Sequence, residues 1–351
     1  MGKWTKRVLA VVLAMAMLCG IAAIGASAAE DITAKFTDAN FRAAVYEAIG
    51  KEAPASILDT DVAGMAQLNV SYKNITRLDG LEYFTGLKYF YCSINQLTEL
   101  PELPSGLISL RCSENQLKEL PELPSSLEYL YCSLNKLTQL PALPSSLKAL
   151  YCDNEVDGKG GDPINYDNYN KLTSLPTLPP NLEILNCSYI QLTSLPALPA
   201  SLQYLNCGNN QLTSLPTLLS SLTQLYCQNN QLTSLPALPS SLTRLYCQNN
   251  QLALLPLLPP SLKYLNCNNN KLKALNVTSL SLTGLDCSYN NMTSKANVVG
   301  FAGIWNDQNY TFDPQNTQPN EEPAPFWSTW PPFLVSILEY VLFGWLWMRW
   351  F

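Results

Sequence analysis

The sequence predicts a solenoid of the α/β class: stacked coils with mostly short parallel β-strands on a concave face, extended arms on a convex face, and a short helical N-terminal cap. Three observations predict it. Cysteines recur at 92, 112, 132 and 152 and again at 187, 207, 227, 247, 267 and 287, a period of 20 broken once by a step of 35. Each lies in the same frame of leucines, and nearly every frame ends on an asparagine. An arm with prolines at fixed places follows most frames. Self-similarity of this kind marks units that bury their apolar faces only by stacking.

One full copy runs Leu107-Ile108-Ser109-Leu110-Arg111-Cys112-Ser113-Glu114-Asn115-Gln116-Leu117. Another carries Leu222, Leu225, Cys227, Asn230, Leu232, Leu235 and Leu242 at the same spacing. Alternation along a strand turns Leu110 and Cys112 inward and Arg111 outward. The arm continues Leu120-Pro121-Glu122-Leu123-Pro124. Proline removes backbone donors and fixes φ, so this arm is neither an α-helix nor an inner strand but an extended, polyproline-like segment.

The pattern Leu-x-x-Leu-x-Cys-x-x-Asn-x-Leu resembles the leucine-rich-repeat family, with cysteine at an inward position, and implies a leucine-rich-repeat solenoid. It also implies a ladder of buried asparagines: Asn95, Asn115, Asn135, Asn210, Asn230, Asn250, Asn270 and Asn290. Their amides would satisfy backbone groups of the turn and the neighbouring coil. The Leu-Pro-x-Leu-Pro arm is similar to the repeats of bacterial effectors with ubiquitin-ligase activity. Those carry a separate catalytic domain, and no stretch after Asn290 is expected to be one.

Eleven strand frames fill residues 65–292. The first is degenerate, with Val70 at the cysteine position and Lys73 at the asparagine position. Ile190 replaces an asparagine, Leu219 stands where a second proline is due, and Asn276-Val277-Thr278 replaces a proline arm. The long step holds an insertion over 155–169, after which Asn170 resumes the frame and leads into Leu172. Asp153-x-Glu155-x-Asp157-Gly158 follows the start of a calcium loop, but its twelfth position is Ile164 where a bidentate acid is needed. A solvated surface loop is the preferred reading, and no metal or cofactor is expected.

Residues 29–64 are expected to cap the first coil. Asp38 can start a helix that ends at Ile49 before Gly50, with Phe41, Ala44, Val45 and Ala48 at helical spacing. Phe36 to Val45, with the later Leu81-Glu82-Tyr83-Phe84, resembles the N-terminal caps of Gram-positive surface repeat proteins. The resemblance as a whole is therefore to bacterial leucine-rich-repeat surface proteins. Residues 293–315, with Trp305, Tyr310 and Phe312, are expected to close the other end.

Residues 1–28 read as a secretory signal peptide: Lys3, Lys6 and Arg7, then an apolar run from Val8 to Ile24, then Ala26-Ser27-Ala28. An uncleaved anchor is the rival reading. Removing those three cations takes the net charge from −6 to −9, which leaves no electrostatic footprint for nucleic acid. Residues 316–332 read as a linker. Residues 333–351 form a hydrophobic tail near the length of a membrane span, with Arg349 at its end and Glu339 within it. An interfacial helix is the second reading for that tail. Together these features predict an exported monomer at the cell surface, anchored in the membrane through its C-terminal segment.

There is no histidine, so the usual general base and metal ligand are missing. No nucleophile–base pair, metal set or phosphate loop stands out, and the chain is expected not to be an enzyme. The cysteines recur at one structural position, which favours a column of small buried hydrophobes over disulfides.

Function is expected on the outward strand positions. There the sequence sets Tyr89, Tyr91, Arg111, Tyr129, Tyr131, Tyr151, Tyr204, Tyr226, Arg244, Tyr246 and Tyr264 among asparagines and glutamines. Tyrosine offers a large contact area with a polar tip. The expected function is recognition of a protein or glycan ligand, the alternative a structural cell-envelope protein without a ligand.

Overall fold

The computed structural model describes residues 29–155, 169–306 and 308–316. The signal-peptide, linker and tail readings and the body of the insertion lie outside them. Among the described residues no helix is long and apolar enough to cross a membrane.

Each frame makes a three-residue strand. In order these are β1 (Gln67–Asn69), β2 (Tyr89–Tyr91), β3 (Ser109–Arg111), β4 (Tyr129–Tyr131), β5 (Ala149–Tyr151), β6 (Ile184–Asn186) and β7 (Tyr204–Asn206). Then come β8 (Gln224–Tyr226), β9 (Arg244–Tyr246), β10 (Tyr264–Asn266) and β12 (Gly284–Asp286). They join in parallel into one 12-stranded sheet, completed by β14 (Tyr310–Thr311) beyond β12. Register never slips: Leu110 faces Leu130, which faces Leu150, which faces Leu185 across the long step. The leucine and cysteine of each frame are buried in a single continuous core. A buried leucine contributes about 1.5–3 kcal/mol, so the stack is held by its repeated leucines.

The asparagine ladder stitches the turns. Asn135 donates to the carbonyls of Cys112 (3.0 Å) and Cys132 (3.2 Å) and accepts from the Leu117 amide (3.0 Å). Asn170 does the same across the insertion, donating to Cys132 and Cys152 and accepting from Leu137. Asn95 departs from expectation, being half-buried. It is the first rung, and the frame before it offers Lys73 in place of an asparagine. Beyond Asn290 the last rung is a glutamine: Gln315 donates to the Cys287 carbonyl and accepts from the Asn290 and Met292 amides.

The arms follow from proline. They carry no helix, and their leucines turn inward, Leu120 and Leu123 being buried. The exception confirms the cause. Where Asn276-Val277 replaces the prolines, the arm has its amides back and forms β11 (Leu275–Asn276), parallel to β13 (Val298–Val299). A second ladder, not anticipated, closes the arms: the serine before six of the frames donates to the leucine carbonyl one coil back, as Ser146 to Leu127 and Ser241 to Leu222, both at 2.7 Å.

At the N-terminal end, helix α1 (Ala39–Ile49) starts from Asp38, whose carboxylate accepts from the Asn40 and Phe41 amides, and stops at Gly50 with φ +67°. The buried face is Phe41, Ala44, Val45 and Tyr46, not Ala48. Tyr46 is drawn in because its hydroxyl donates to the Ala55 carbonyl at 2.7 Å. Asp38 also accepts from Thr76, tying α1 to the first coil. Phe36 packs edge-on against Phe41 and Phe84. It lies so close over Gly80 (φ +99°) that a Cβ there would meet its ring at 2.7 Å. At the other end Phe301, Trp305, Tyr310 and Phe312 pack on one another against the last coil.

Candidate ligand-binding face of the sheet

The sheet presents two outward positions per strand, and the eleven candidate residues all occupy them: Tyr89 and Tyr91 on β2, Arg111 on β3, Tyr129 and Tyr131 on β4, Tyr151 on β5, Tyr204 on β7, Tyr226 on β8, Arg244 and Tyr246 on β9, Tyr264 on β10. Parallel register lines them up coil over coil, and ring contacts join most of them into piles.

The first pile spans β2 to β5. The Arg111 guanidinium lies 5.4 Å from the Tyr91 ring centre and 4.5 Å from that of Tyr131. Tyr131 stacks in turn on Tyr151 at 4.8 Å, with ring planes 11° apart. The second pile spans β7 to β10. Tyr204 leans on Tyr226 at 5.4 Å, Tyr226 stacks on Tyr246 at 4.9 Å, and Arg244 lies 4.8 Å over Tyr264. The Tyr226 hydroxyl donates to Gln224 at 3.1 Å.

Cation–π contacts contribute about 0.5–1 kcal/mol each at exposed sites, and aromatic pairs about 0.5–1.5 kcal/mol. These contacts restrict the rings before any ligand arrives, so less side-chain freedom remains to be lost on binding. Stacking also covers ring faces, leaving edges and hydroxyls outward. Burial pushes the Tyr204 phenol up to about 12, with the charges of Tyr226, Glu155 and Tyr151 adding to it, and burial likewise raises Tyr151. Both stay neutral near pH 7.

Two outward positions are not as exposed as alternation suggests. Asn186 and Asn206 are buried on the floor between the piles. The Ser188 hydroxyl donates to the Asn186 side-chain amide oxygen at 3.0 Å and accepts from the Asn206 amide at 3.4 Å. Asn154 is also buried, donating to the carbonyls of Asn170 and Tyr189. Asp153, which the sequence offers only as the first position of an incomplete calcium loop, is buried. It is 4% exposed and accepts from the Ser133 hydroxyl (2.8 Å) and the Glu155 amide (3.0 Å). Burial pushes its carboxyl up to about 6. The signal was available: the same frame position holds serine, glycine, glutamine or asparagine in the other cysteine-bearing coils.

The cysteines stand behind the sheet as buried free thiols. Burial pushes Cys112, Cys207 and Cys247 up to about 12, so the reactive thiolate is suppressed. Among the described residues no three metal-binding side chains come together.

Residues 200–240 match the family model for leucine-rich repeats in two copies. No curated protein matches the chain. Among solved structures it is similar to YopM from Yersinia enterocolitica, at 35% identity over 66% of this chain and 52% of that one, with a TM-score of 0.55. It is similar to YopM from Yersinia pestis, described as a leucine-rich effector protein, at 36% identity over 65% of this chain and 66% of that one, with a TM-score of 0.53. It is also similar to the functional domain of InlJ from Listeria monocytogenes, described as including a cysteine ladder, at 28% identity over 77% of this chain and 59% of that one, with a TM-score of 0.66. The chain thus spans 52–66% of the length of these three structures. With its unbroken parallel register, its asparagine ladder and this match, the molecule is a leucine-rich-repeat solenoid, the architecture of a protein-interaction module.

Proposed function

We propose that the chain is an exported, surface-displayed, non-catalytic recognition module whose sheet face binds a protein or glycan ligand. The observation that carries this is the two preordered tyrosine–arginine piles on adjoining strands. Tyrosine and arginine are the side chains that dominate binding energy at protein interfaces. A protein ligand is favoured over a glycan, because the ring faces that would stack on sugars are in large part covered by one another and by Arg111 and Arg244. Export rests on the signal-peptide pattern of residues 1–28, and anchoring on the tail at 333–351.

The purified 351-residue chain, beside a Tyr131/Tyr151/Tyr226/Tyr246→Ala variant, is to be tested on arrays of proteins and glycans. The expected result is a ligand held by the native chain and lost by a folded variant. Equal binding by both would move the site off the sheet, and no ligand at all would favour a structural envelope role.

A further inference from the structure

Acid and base are parted along the chain. Residues 29–183 hold 21 acids against 12 cations, whereas residues 184–285 hold no acid and four cations, Arg244, Lys263, Lys271 and Lys273. The arms change in step. Two outward arm positions, four and seven residues past the ladder asparagine, are Glu99 and Glu102 and then Glu119 and Glu122 in the early coils. They pass to Ser174 and Thr177 midway and to Leu254 and Leu257 near the end. These leucines are 66% and 89% exposed, while Leu255 and Leu258 beside them supply the core.

The apolar surface continues into the last arms. One coil on, β11 replaces the proline arm and pairs with β13, whose Val299 is exposed. Val299 leads into residues 300–303, which with Val277, Leu280 and Leu282 line a cavity of about 190 Å³. Lys271 and Lys273 stand exposed at the start of the β11 arm, and among the described residues neither is in an ion pair. An exposed apolar patch on a single chain marks a contact surface. Where the chain goes next says which. The Asn316 amide donates to the Asn290 carbonyl at 2.7 Å, fixing the end of the described chain to the last coil. The hydrophobic tail starts at Phe333, 17 residues on, which is at most about 60 Å of extended chain. A tail seated in a bilayer therefore tethers the apolar arms beside lipid and leaves the acidic arms at the far end. Leucines flanked by unpaired lysines complement acyl chains beneath anionic headgroups.

We propose that the arm face of the last coils, Leu254, Leu257 and Val299 with Lys271 and Lys273, rests on an anionic lipid surface and so sets how the solenoid stands on the membrane. This rests on the tail being the anchor. In the full chain, the photoreactive residue p-benzoylphenylalanine replaces Leu257 or, at the same frame position, Thr177 or Glu102. Each protein is reconstituted with vesicles of phosphatidylcholine, with or without phosphatidylglycerol. The samples are floated, irradiated and scored for lipid adducts by mass spectrometry.

The expected result is about tenfold more lipid adduct at position 257 than at 177 or 102. That yield should fall about fivefold when phosphatidylglycerol is left out or when Lys271→Gln/Lys273→Gln is added, with the melting of the double variant unchanged. Flotation with equal adducts at all three positions, or with none, would overturn the proposal and leave the anchor standing. Failure to float would overturn both. Adducts from position 257 to the chain's own tail or to a second copy, in place of lipid, would assign the patch to that occupant and overturn the proposal. A yield indifferent to both headgroup and lysines would overturn the assignment to anionic lipid.

Discussion

At the residue scale, buried polar groups carry the most weight. Asn135 satisfies four backbone groups at once. Asn135→Ala would leave them unpaired in the core, at about 1–3 kcal/mol for a buried orphan. Urea unfolding should therefore show a loss near the top of that range, and Asn95→Ala a smaller one because water reaches that half-buried rung. Asp153 acts in the opposite direction. Burial holds its folded pKa at about 6, above the ordinary carboxylate range. Its contribution is therefore fully favourable below the unfolded pKa and is lost as pH rises through 6. Asp153→Asn should stabilise the chain by roughly 1–3 kcal/mol at pH 7 and by nothing at pH 3, as thermal melts at the two pH values would show. The asparagine ladder was legible because the frame recurs. Asp153 reads in the sequence as the first position of an incomplete calcium loop at the edge of a solvated insertion, and its burial depends on the neighbouring coils that cover it.

At the element scale, the strands and arms were legible for separate reasons. Alternation of Leu, outward residue and Cys fixes each strand's facing, and paired prolines keep the arm out of the sheet. The serine ladder and Gln315 were not legible, since each depends on where a neighbouring coil's carbonyl lies. Tyr46 displaced Ala48 from the buried face of α1 for the same reason, its partner being the carbonyl of Ala55. Asp38 governs how this cap docks. Burial raises its carboxyl, but hydrogen bonds from Thr76, Phe41 and Asn40 outweigh that and hold it below its ordinary value. The stabilisation is thus present above the unfolded pKa and lost as pH falls through the folded one. Asp38→Ala should cost about 1 kcal/mol or more at pH 7, less at pH 3, measured by the same melts. Gly80→Ala should cost more than the cap, because its φ of +99° and the Phe36 ring both oppose a Cβ.

At the scale of the whole molecule, one core and one sheet run from cap to cap, and the ligand surface is a consequence of that regularity. The cysteine column belongs to the core, so a thiol reagent should leave its ten buried thiols unmodified in the folded chain and titrate them after denaturation. Stacking of the outward tyrosines was legible only as a list of aligned positions. That neighbouring rings pile face to face, and that the piles break at β6, depends on rotamers and spacing that alignment does not fix. If these piles are where a ligand binds, hydroxyl-radical footprinting of the chain with and without its ligand reads it out ring by ring. The prediction is that Tyr131, Tyr151, Tyr226 and Tyr246 lose oxidation on binding, while the exposed Tyr72, Tyr189 and Tyr289 at the turn edge keep theirs. Protection of the turn-edge tyrosines with the piles unchanged would contradict it.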